Sequence, residues 1–368
     1  MGSAMFLIRS ANSHDTGGCQ TSDISDSRRY EKIQEVTVMP EKEREKILEV
    51  DGLCTKFHTE RGDLKAIDGV SFCVYKGEIL GIVGESGCGK SVTSQSIMRL
   101  YDEKRVASYS GTVKLEGENL FDLPEKEMQK VRGEKISMVF QDALSSLNPV
   151  FTVGSQIMEA LLIHQKISKK EAVEKSIEML RLVGIPEPEK RFTQYPHQLS
   201  GGMRQRVMIA IALACHPRLL IADEPTTALD VTIQAQVMDL IVDLNHKLDM
   251  GVMLITHDLA VVAEVCQRVI VMYLGQVVEE ADVNSIFDHP QHPYTQGLIR
   301  SIPQIDGDKG ERLYQIDGMV PLLNQIPEGC RFAPRCPYAT DKCRKEMPEL
   351  REVSATQKVR CHMAGMGA

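Results

Sequence analysis

An α/β fold with a parallel central sheet is predicted for this chain, and three observations predict it. Apolar runs of strand length recur at Ile79–Val83, Ile136–Phe140, Leu219–Ala222 and Val252–Thr256. Helical stretches separate these runs, and such alternation builds a parallel sheet covered by helices. The first run leads into Gly84-Glu-Ser-Gly-Cys-Gly89-Lys90-Ser91, which fits G-x-x-x-x-G-K-[ST], the phosphate-binding loop.

The loop sits between a strand and the helical stretch Val92–Leu100, the context that the motif requires. Its glycines let the backbone turn tightly, so that several N–H groups face phosphate oxygens. The helix that follows adds the positive end of its dipole. Lys90 can reach the β- and γ-phosphates, and the Ser91 hydroxyl can ligate Mg²⁺. A plain glycine-rich turn is the ordinary alternative; strand, loop and helix in register argue against it. Cys88 reads as a small residue in a variable slot of the loop.

Composition narrows the function. Hydrophobic residues make up 42% of 368, which supports a full core and excludes global disorder. The net charge of −8 argues against a nucleic-acid binder, which carries a basic footprint. No apolar run approaches the ~20 residues that span a bilayer. Met5-Phe-Leu-Ile8 is too short for the core of a signal peptide. A cytosolic protein is expected, with any membrane role running through a partner. Ten cysteines in such a chain point to metal or reduced thiols rather than disulfides.

In chain order, residues 1–45 are polar and weakly periodic and read as a flexible extension. Ile47–Tyr75 alternates apolar and polar residues about a turn at Gly62-Asp63, an antiparallel hairpin layer. After Gln141 a helical insertion is expected, about 142–200. Within it Val173, Ile177, Leu180 and Val183 give Lys169–Val183 an apolar stripe. Arg268–Glu280 reads as a second hairpin, turning at Leu274-Gly275. From Ser301 the chain is rich in Pro, Gly and Asp, and a small cysteine-bearing module begins near Pro327. The expected organisation is an extension (1–45), a main domain (46–300) and a C-terminal extension (301–368).

Four further groups carry chemistry. Leu219-Leu-Ile-Ala-Asp223-Glu224 is an apolar strand ending in two carboxylates. Beside a phosphate loop, Asp223 can hold Mg²⁺ and Glu224 can polarise an attacking water. Solvated acids at a strand end are common, but Pro225-Thr-Thr-Ala-Leu-Asp230 follows at once. Ser200-Gly201-Gly202 opens a helix running through Arg204, Val207 and Ile211; alone it would be an ordinary N-cap, and with the other motifs it is an anion-binding element. Gln141 stands at the tip of Ile136–Phe140, placed for Mg²⁺ and water. His257 ends Val252–Thr256, placed for a γ-phosphate.

In this order the motifs resemble those of the ATP-binding subunits of ABC transporters, over roughly residues 47–345. A nearer resemblance, to the ATPases of dipeptide and oligopeptide importers, rests on three stretches: Met138–Pro149, Leu199–Arg206 and His289-Pro-Gln-His-Pro-Tyr-Thr295. Met203 stands where the wider family usually has Gln, and Met is ordinary in the peptide branch. The resemblance implies a P-loop NTPase core of ABC type with an antiparallel β layer, a helical subdomain and a small C-terminal Cys-rich module. It implies ATP on Gly84, Glu85, Ser86, Gly87, Cys88, Gly89, Lys90, Ser91 and Val92, with Phe57 stacked on adenine. Mg²⁺ would lie among Ser91, Gln141 and Asp223, with Glu224 as base and His257 near the γ-phosphate. Ser200, Gly201 and Gly202 would face ATP held by an opposite subunit, and the Asp230 loop belongs to the same nucleotide site. Two ATPs would then be buried between two ATPase subunits.

The implied partners are two integral-membrane permeases, a second ABC ATPase and, indirectly, an extracytoplasmic solute-binding protein; no nucleic acid is implied. The implied place is the cytoplasmic face of the membrane, with the segment through Phe151 and Val153 as docking surface. Import of nickel or another small solute is the alternative inside the family. Soluble ABC ATPases of DNA repair or translation are a more distant one, because they carry long insertions or two cassettes.

Cys330, Cys336, Cys343 and Cys361 are separated by five, six and seventeen residues. Four thiolates can hold a [4Fe–4S] cluster or a structural Zn²⁺. No C-x₂₋₄-C pair is present, so zinc is the second choice and metal-free thiols the third. The same region looks like an iron–sulfur module in some peptide-importer ATPases.

Overall fold

The computed structural model describes residues 44–60, 62–103, 105–142, 146–227, 229–302 and 314–365. The expected N-terminal extension lies outside them, apart from Arg44 and Glu45. Lys46–Ile302 and the chain from Tyr314 onward form one compact unit.

Two sheets organise it. Strands β1 (Lys46–Thr59), β2 (Gly62–Tyr75), β4 (Ala107–Leu115) and β5 (Glu118–Asn119) form an antiparallel sheet in the order β2-β1-β4-β5. The second sheet contains β3 (Ile79–Val83), β6 (Ile136–Val139), β7 (Leu219–Asp223), β8 (Gly251–Ile255), β9 (Arg268–Tyr273), β10 (Gln276–Asp282), β11 (Arg351–Ser354) and β12 (Gln357–Val359), ordered β11-β12-β10-β9-β3-β8-β7-β6. From β9 to β6 neighbours run parallel; β10, β12 and β11 are added antiparallel.

Every residue of β3, β7 and β8 is buried. That is why these strands read as unbroken apolar runs: a parallel sheet is covered on both faces. Each fully buried Ile, Leu or Val contributes roughly 1.5–3 kcal/mol. Tyr273, Tyr294 and Phe332 enter the same core, so the C-terminal segment packs into the sheet's helical side. Strand β12 joins it to the sheet by pairing with β10, Glu279 opposite Val359.

Three local expectations need correction. Thr59 pairs with Gly62, so the first hairpin turns before Gly62, and Gly62-Asp63 already belongs to β2. Its His58 Nδ1 lies 2.8 Å from Asp63 Oδ1, which holds that register. The helix Lys169–Leu182, with a Ser168–Glu171 capping box, buries Ala172, Ser176, Met179 and Leu180. Val173 and Ile177 are only half-buried. The face is rotated because small residues allow close approach to the neighbouring helices, a preference that apolar spacing does not reveal. Val153 is fully buried at the start of the helix Val153–His164, whereas Val150 and Phe151 are exposed. Of the expected docking segment, Val153 therefore belongs to the core rather than to the surface. The second hairpin turns at Leu274-Gly275 as expected, both residues with positive φ. Among the described residues no helix is long and apolar enough to cross a membrane.

Candidate functional site

Four of the expected site segments follow the carboxyl ends of four adjacent parallel strands. The phosphate loop follows β3, His257 follows β8, Asp223 and Glu224 end β7, and Gln141 follows β6. The register aligns these ends: Ile82 and Asp223 both pair with Ile255, and Val139 with Ala222. In open α/β sheets ligands bind at this edge.

The loop is tightly fixed. Gly84, Gly87 and Gly89 have φ of 152°, 79° and 107°. A Cβ on Gly84 would stand 2.3 Å from the Met272 carbonyl oxygen and 2.7 Å from Cys88 Sγ. The Cys88 thiol is therefore packed into the core, 1% exposed, and its slot is not a free one. Only its backbone can face a ligand. Lys90 is buried, and its ammonium folds back to donate to the carbonyls of Gly84 (2.7 Å) and Glu85 (3.3 Å). It thus lies in the concavity of the loop, where a phosphate would meet it. Val92 follows on the helix Lys90–Ile97 and is half-buried.

Beside the loop, the Ser91 hydroxyl donates to Asp223 Oδ1 at 3.0 Å. Burial lifts the Asp223 carboxyl above its ordinary range, and the Glu224 charge adds to this against the opposing Ser91 bond and Lys90 charge. A hard cation here would relieve that penalty, since oxygen donors suit Mg²⁺. Glu224 takes a left-handed φ of 46°. Its N–H donates to the Ile255 carbonyl at 2.8 Å. Such a backbone costs a non-glycine residue about 1–3 kcal/mol and is held by its surroundings. The Glu224 carboxylate accepts from Gln141 Nε2 at 2.7 Å and from Thr227 Oγ1 at 3.0 Å. His257 Nδ1 stands 3.5 Å from its other oxygen. Three polar side chains from three loops therefore converge on one carboxylate next to a phosphate loop.

Ser200, Gly201 and Gly202 form a second group with Asp230. Ser200 caps the helix Gly201–Leu213 by accepting from Met203 N–H. Asp230 caps Val231–Leu248 by accepting from Ile233 N–H. A Cβ on Gly202 would lie 2.7 Å from Ile233 Cγ2, which shows how closely the two helix starts approach. Ser200, Gly201 and Asp230 are exposed. Among the described residues no hydrogen bond links this group to the phosphate loop of the same chain. Phe57, half-buried on β1, meets Tyr101 edge-on with centroids 4.9 Å apart. Burial raises the Tyr101 phenol, and the Asp223 charge adds to this.

The four C-terminal cysteines line a single cavity with Phe332 and Tyr338. They are free thiols. Yet among the described residues no group of three or more His, Cys, Asp or Glu side chains is drawn together at metal-holding distance. The expected ligation by Cys330, Cys336, Cys343 and Cys361 is therefore not present as such. The sulfurs have local partners: Cys343 Sγ pairs with Thr340 Oγ1 at 3.3 Å, and Cys361 Sγ accepts from Met363 N–H at 3.4 Å.

Sequence reasoning missed Thr227, Tyr294 and Arg335. Thr227 lies three residues after Glu224, so the string between Glu224 and Asp230 held the signal. Tyr294 lies in the His289–Thr295 stretch, which carries resemblance but suggests no role. Arg335 stands directly before Cys336 and is overshadowed by it.

Comparison with known proteins is consistent across three kinds of likeness. A family model described as "ABC transporter" matches residues 67–227, and one described as "Oligopeptide/dipeptide transporter, C-terminal region" matches residues 278–343. The chain is 54% identical to the probable peptide ABC transporter ATP-binding protein y4tR of Sinorhizobium fredii, over 86% of this chain and 94% of that protein. It is 52% identical to the oligopeptide transport ATP-binding protein AppD of Bacillus subtilis, over 86% of this chain and 96% of that one. It is 51% identical to the dipeptide transport ATP-binding protein DppD of Escherichia coli, again over 86% and 96%. Among solved structures, the dimeric cassette MJ0796 superposes with a TM-score of 0.58 at 30% identity, over 64% of this chain and 98% of that one. A post-hydrolysis dimer of the same cassette with ADP and Pi superposes equally well, at 29% identity.

Proposed function

The chain belongs to the ATP-binding subunits of ABC transporters, in the oligopeptide and dipeptide branch, and we propose how the site described above serves that role. The protein is an ATPase that powers peptide import. The observation that carries the site reading is the convergence of Gln141, Thr227 and His257 on Glu224 beside the phosphate loop.

ATP lies with its phosphates on Gly84–Ser91, Lys90 turning from the loop carbonyls to the β- and γ-phosphates. The Ser86, Gly87 and Gly89 N–H groups face phosphate oxygens, Val92 flanks them, and Phe57 with Tyr101 lines the adenine end. Ser91, Asp223 and Gln141 would hold Mg²⁺, which neutralises charge as the γ-phosphoryl departs. Glu224, oriented by Thr227 and Gln141, takes the proton of the attacking water. His257, close to Glu224 and exposed at the strand end, contacts the γ-phosphate. Ser200 and Gly202, which among the described residues make no hydrogen bond to the phosphate loop of their own chain, serve ATP held by an opposite ATPase subunit, as does the Asp230 turn. Loss of the γ-phosphate removes the charge that bridges the pair, and the pair opens.

The remaining partners are two permeases and, through them, a solute-binding protein; the ATPase sits peripherally on the cytoplasmic face. Exposed Val150 and Phe151, with Phe140, offer the apolar docking surface. The ATPase domain comprises residues 46–300, and 301–368 are its peptide-type extension. Cargo class is tested by uptake in cells lacking this chain. Labelled dipeptide or oligopeptide uptake is expected to fall to background while nickel uptake persists; the reverse pattern would transfer the reading to nickel import.

Cys330, Cys336, Cys343 and Cys361 offer a [4Fe–4S] cluster a donor set of four free thiols that line one cavity, with structural zinc as the alternative. Bound there, the cluster would staple a segment too small to have a core of its own. Anaerobically purified protein is expected to contain about four iron atoms and four sulfides per chain, with broad absorbance at the blue end of the visible range. One zinc per chain, or no metal at all, would contradict this.

A further inference from the structure

Glu85, the first variable residue of the phosphate loop, is held from outside the loop at both its side chain and its backbone. Arg335 donates Nη1 to Glu85 Oε2 at 2.6 Å and Nη2 to Glu85 Oε1 at 3.0 Å, a bidentate pair. The Glu85 N–H donates to Tyr294 Oη at 2.8 Å. Tyr294 is fully buried and the Arg335 side chain is 4% exposed, so both anchors are set in packed surroundings. Arg335 is itself fixed by donating to the carbonyls of Asp317 (3.0 Å) and Ile316 (3.2 Å), and its guanidinium lies 5.9 Å over the Tyr273 ring.

The other end of the loop is held by the same segment, one step removed. Arg331 donates to the Leu274 carbonyl and to Asp68. The adjoining Gly275 N–H donates to the Cys88 carbonyl at 2.7 Å, and Asp68 N–H donates to the Gly275 carbonyl at 2.9 Å. Any Cβ on Gly275 would stand 2.0 Å from the Ala66 carbonyl oxygen, so this turn has no room to shift. The loop is thus gripped at Glu85 and at Cys88 by residues that flank two of the C-terminal cysteines.

We infer that Arg335 and Tyr294, through Glu85, are positioning residues for nucleotide binding, making the C-terminal segment part of the phosphate-binding apparatus. Lys90 shares this anchor, because its ammonium donates to the carbonyl of Glu85, the residue whose N–H Tyr294 accepts and whose carboxylate Arg335 holds. A loop freed at Glu85 must be ordered by the ligand itself, and that cost appears as lost affinity. This rests on the reading that Gly84–Ser91 holds nucleotide phosphates, and the two are separable: Lys90→Ala tests the nucleotide reading and Arg335→Gln tests the clamp.

The dissociation constant of Mg-ATP, measured by calorimetry on the full chain, is expected to rise about tenfold in Arg335→Gln, the loss of one charge-assisted bidentate pair. Arg335→Lys is expected to recover less than half of this, because an ammonium cannot form the planar fork. In the assembled transporter the change is expected in KM for ATP more than in kcat. Glu85→Gln removes the same pair from the other side, so its effect combined with Arg335→Gln is expected to fall well short of the sum. If Arg335→Gln does not fold, Tyr294→Phe carries the test, with an expected rise of about threefold from a lost neutral hydrogen bond. An affinity within about twofold of the native protein in a normally melting Arg335→Gln, or strict additivity with Glu85→Gln, would overturn the inference. If Lys90→Ala keeps full affinity, the nucleotide reading fails first.

Discussion

Glu224→Gln is expected to bind ATP with near-native affinity and to hydrolyse it at least about a hundredfold more slowly, the scale of a lost general base. The amide keeps the shape of the side chain and can still pair with Thr227 Oγ1 and Gln141, so the surrounding geometry should persist. What it loses is the ability to accept a proton from water. The structure makes Glu224 a committed position: its left-handed φ of 46° is tied down by the bond to Ile255. A residue held at that cost, with three polar partners aimed at it, is poorly explained as a solvated strand end. With hydrolysis blocked, the ATP-bound pair of subunits should accumulate in its closed form. Turnover at the native rate, measured as phosphate release, would remove Glu224 from the mechanism and leave His257 as the next group to examine.

Lys90→Ala is expected to weaken Mg-ATP binding by two orders of magnitude or more, roughly 3 kcal/mol. The lysine is buried, and among the described residues its ammonium donates to two loop carbonyls, so the alanine variant loses the loop's single cation together with the bonds to the Gly84 and Glu85 carbonyls, of which Glu85 keeps the Cys88 N–H. Part of the loss will therefore reflect a loosened loop. Calorimetry alongside a melting curve separates the two. A variant that melts like the native protein and binds ATP unchanged would contradict the phosphate-loop reading outright.

The site is largely legible in the sequence because its chemistry is written in short strings at the ends of apolar runs. A parallel strand must be continuous and apolar, and its carboxyl end is where ligands bind. The strings after Val83, Val139, Ala222 and Ile255 can therefore be placed at one edge of the sheet from the residue pattern alone. The second hairpin is legible for a similar reason, since Leu274-Gly275 is a two-residue turn between two strand-length segments. What stays hidden is non-local. Tyr294 reaches Glu85 across 209 residues and Arg335 across 250, and no spacing rule spans such distances. The face of the Lys169–Leu182 helix departs from its apolar stripe because Ala172 and Ser176, small residues, are buried in place of Val173 and Ile177. The four C-terminal cysteines line one cavity, but among the described residues they are not drawn together at metal-holding distance, an outcome that their spacing in sequence does not announce.

The most direct measurement is a structure of Glu224→Gln with Mg-ATP, together with whichever ATPase subunit completes the pair. The account predicts that Ser200 Oγ and the Gly202 N–H of one subunit meet the γ-phosphate held by Lys90 of the other. Two nucleotides enclosed within single chains, with Ser200 and Gly202 turned toward solvent, would contradict it.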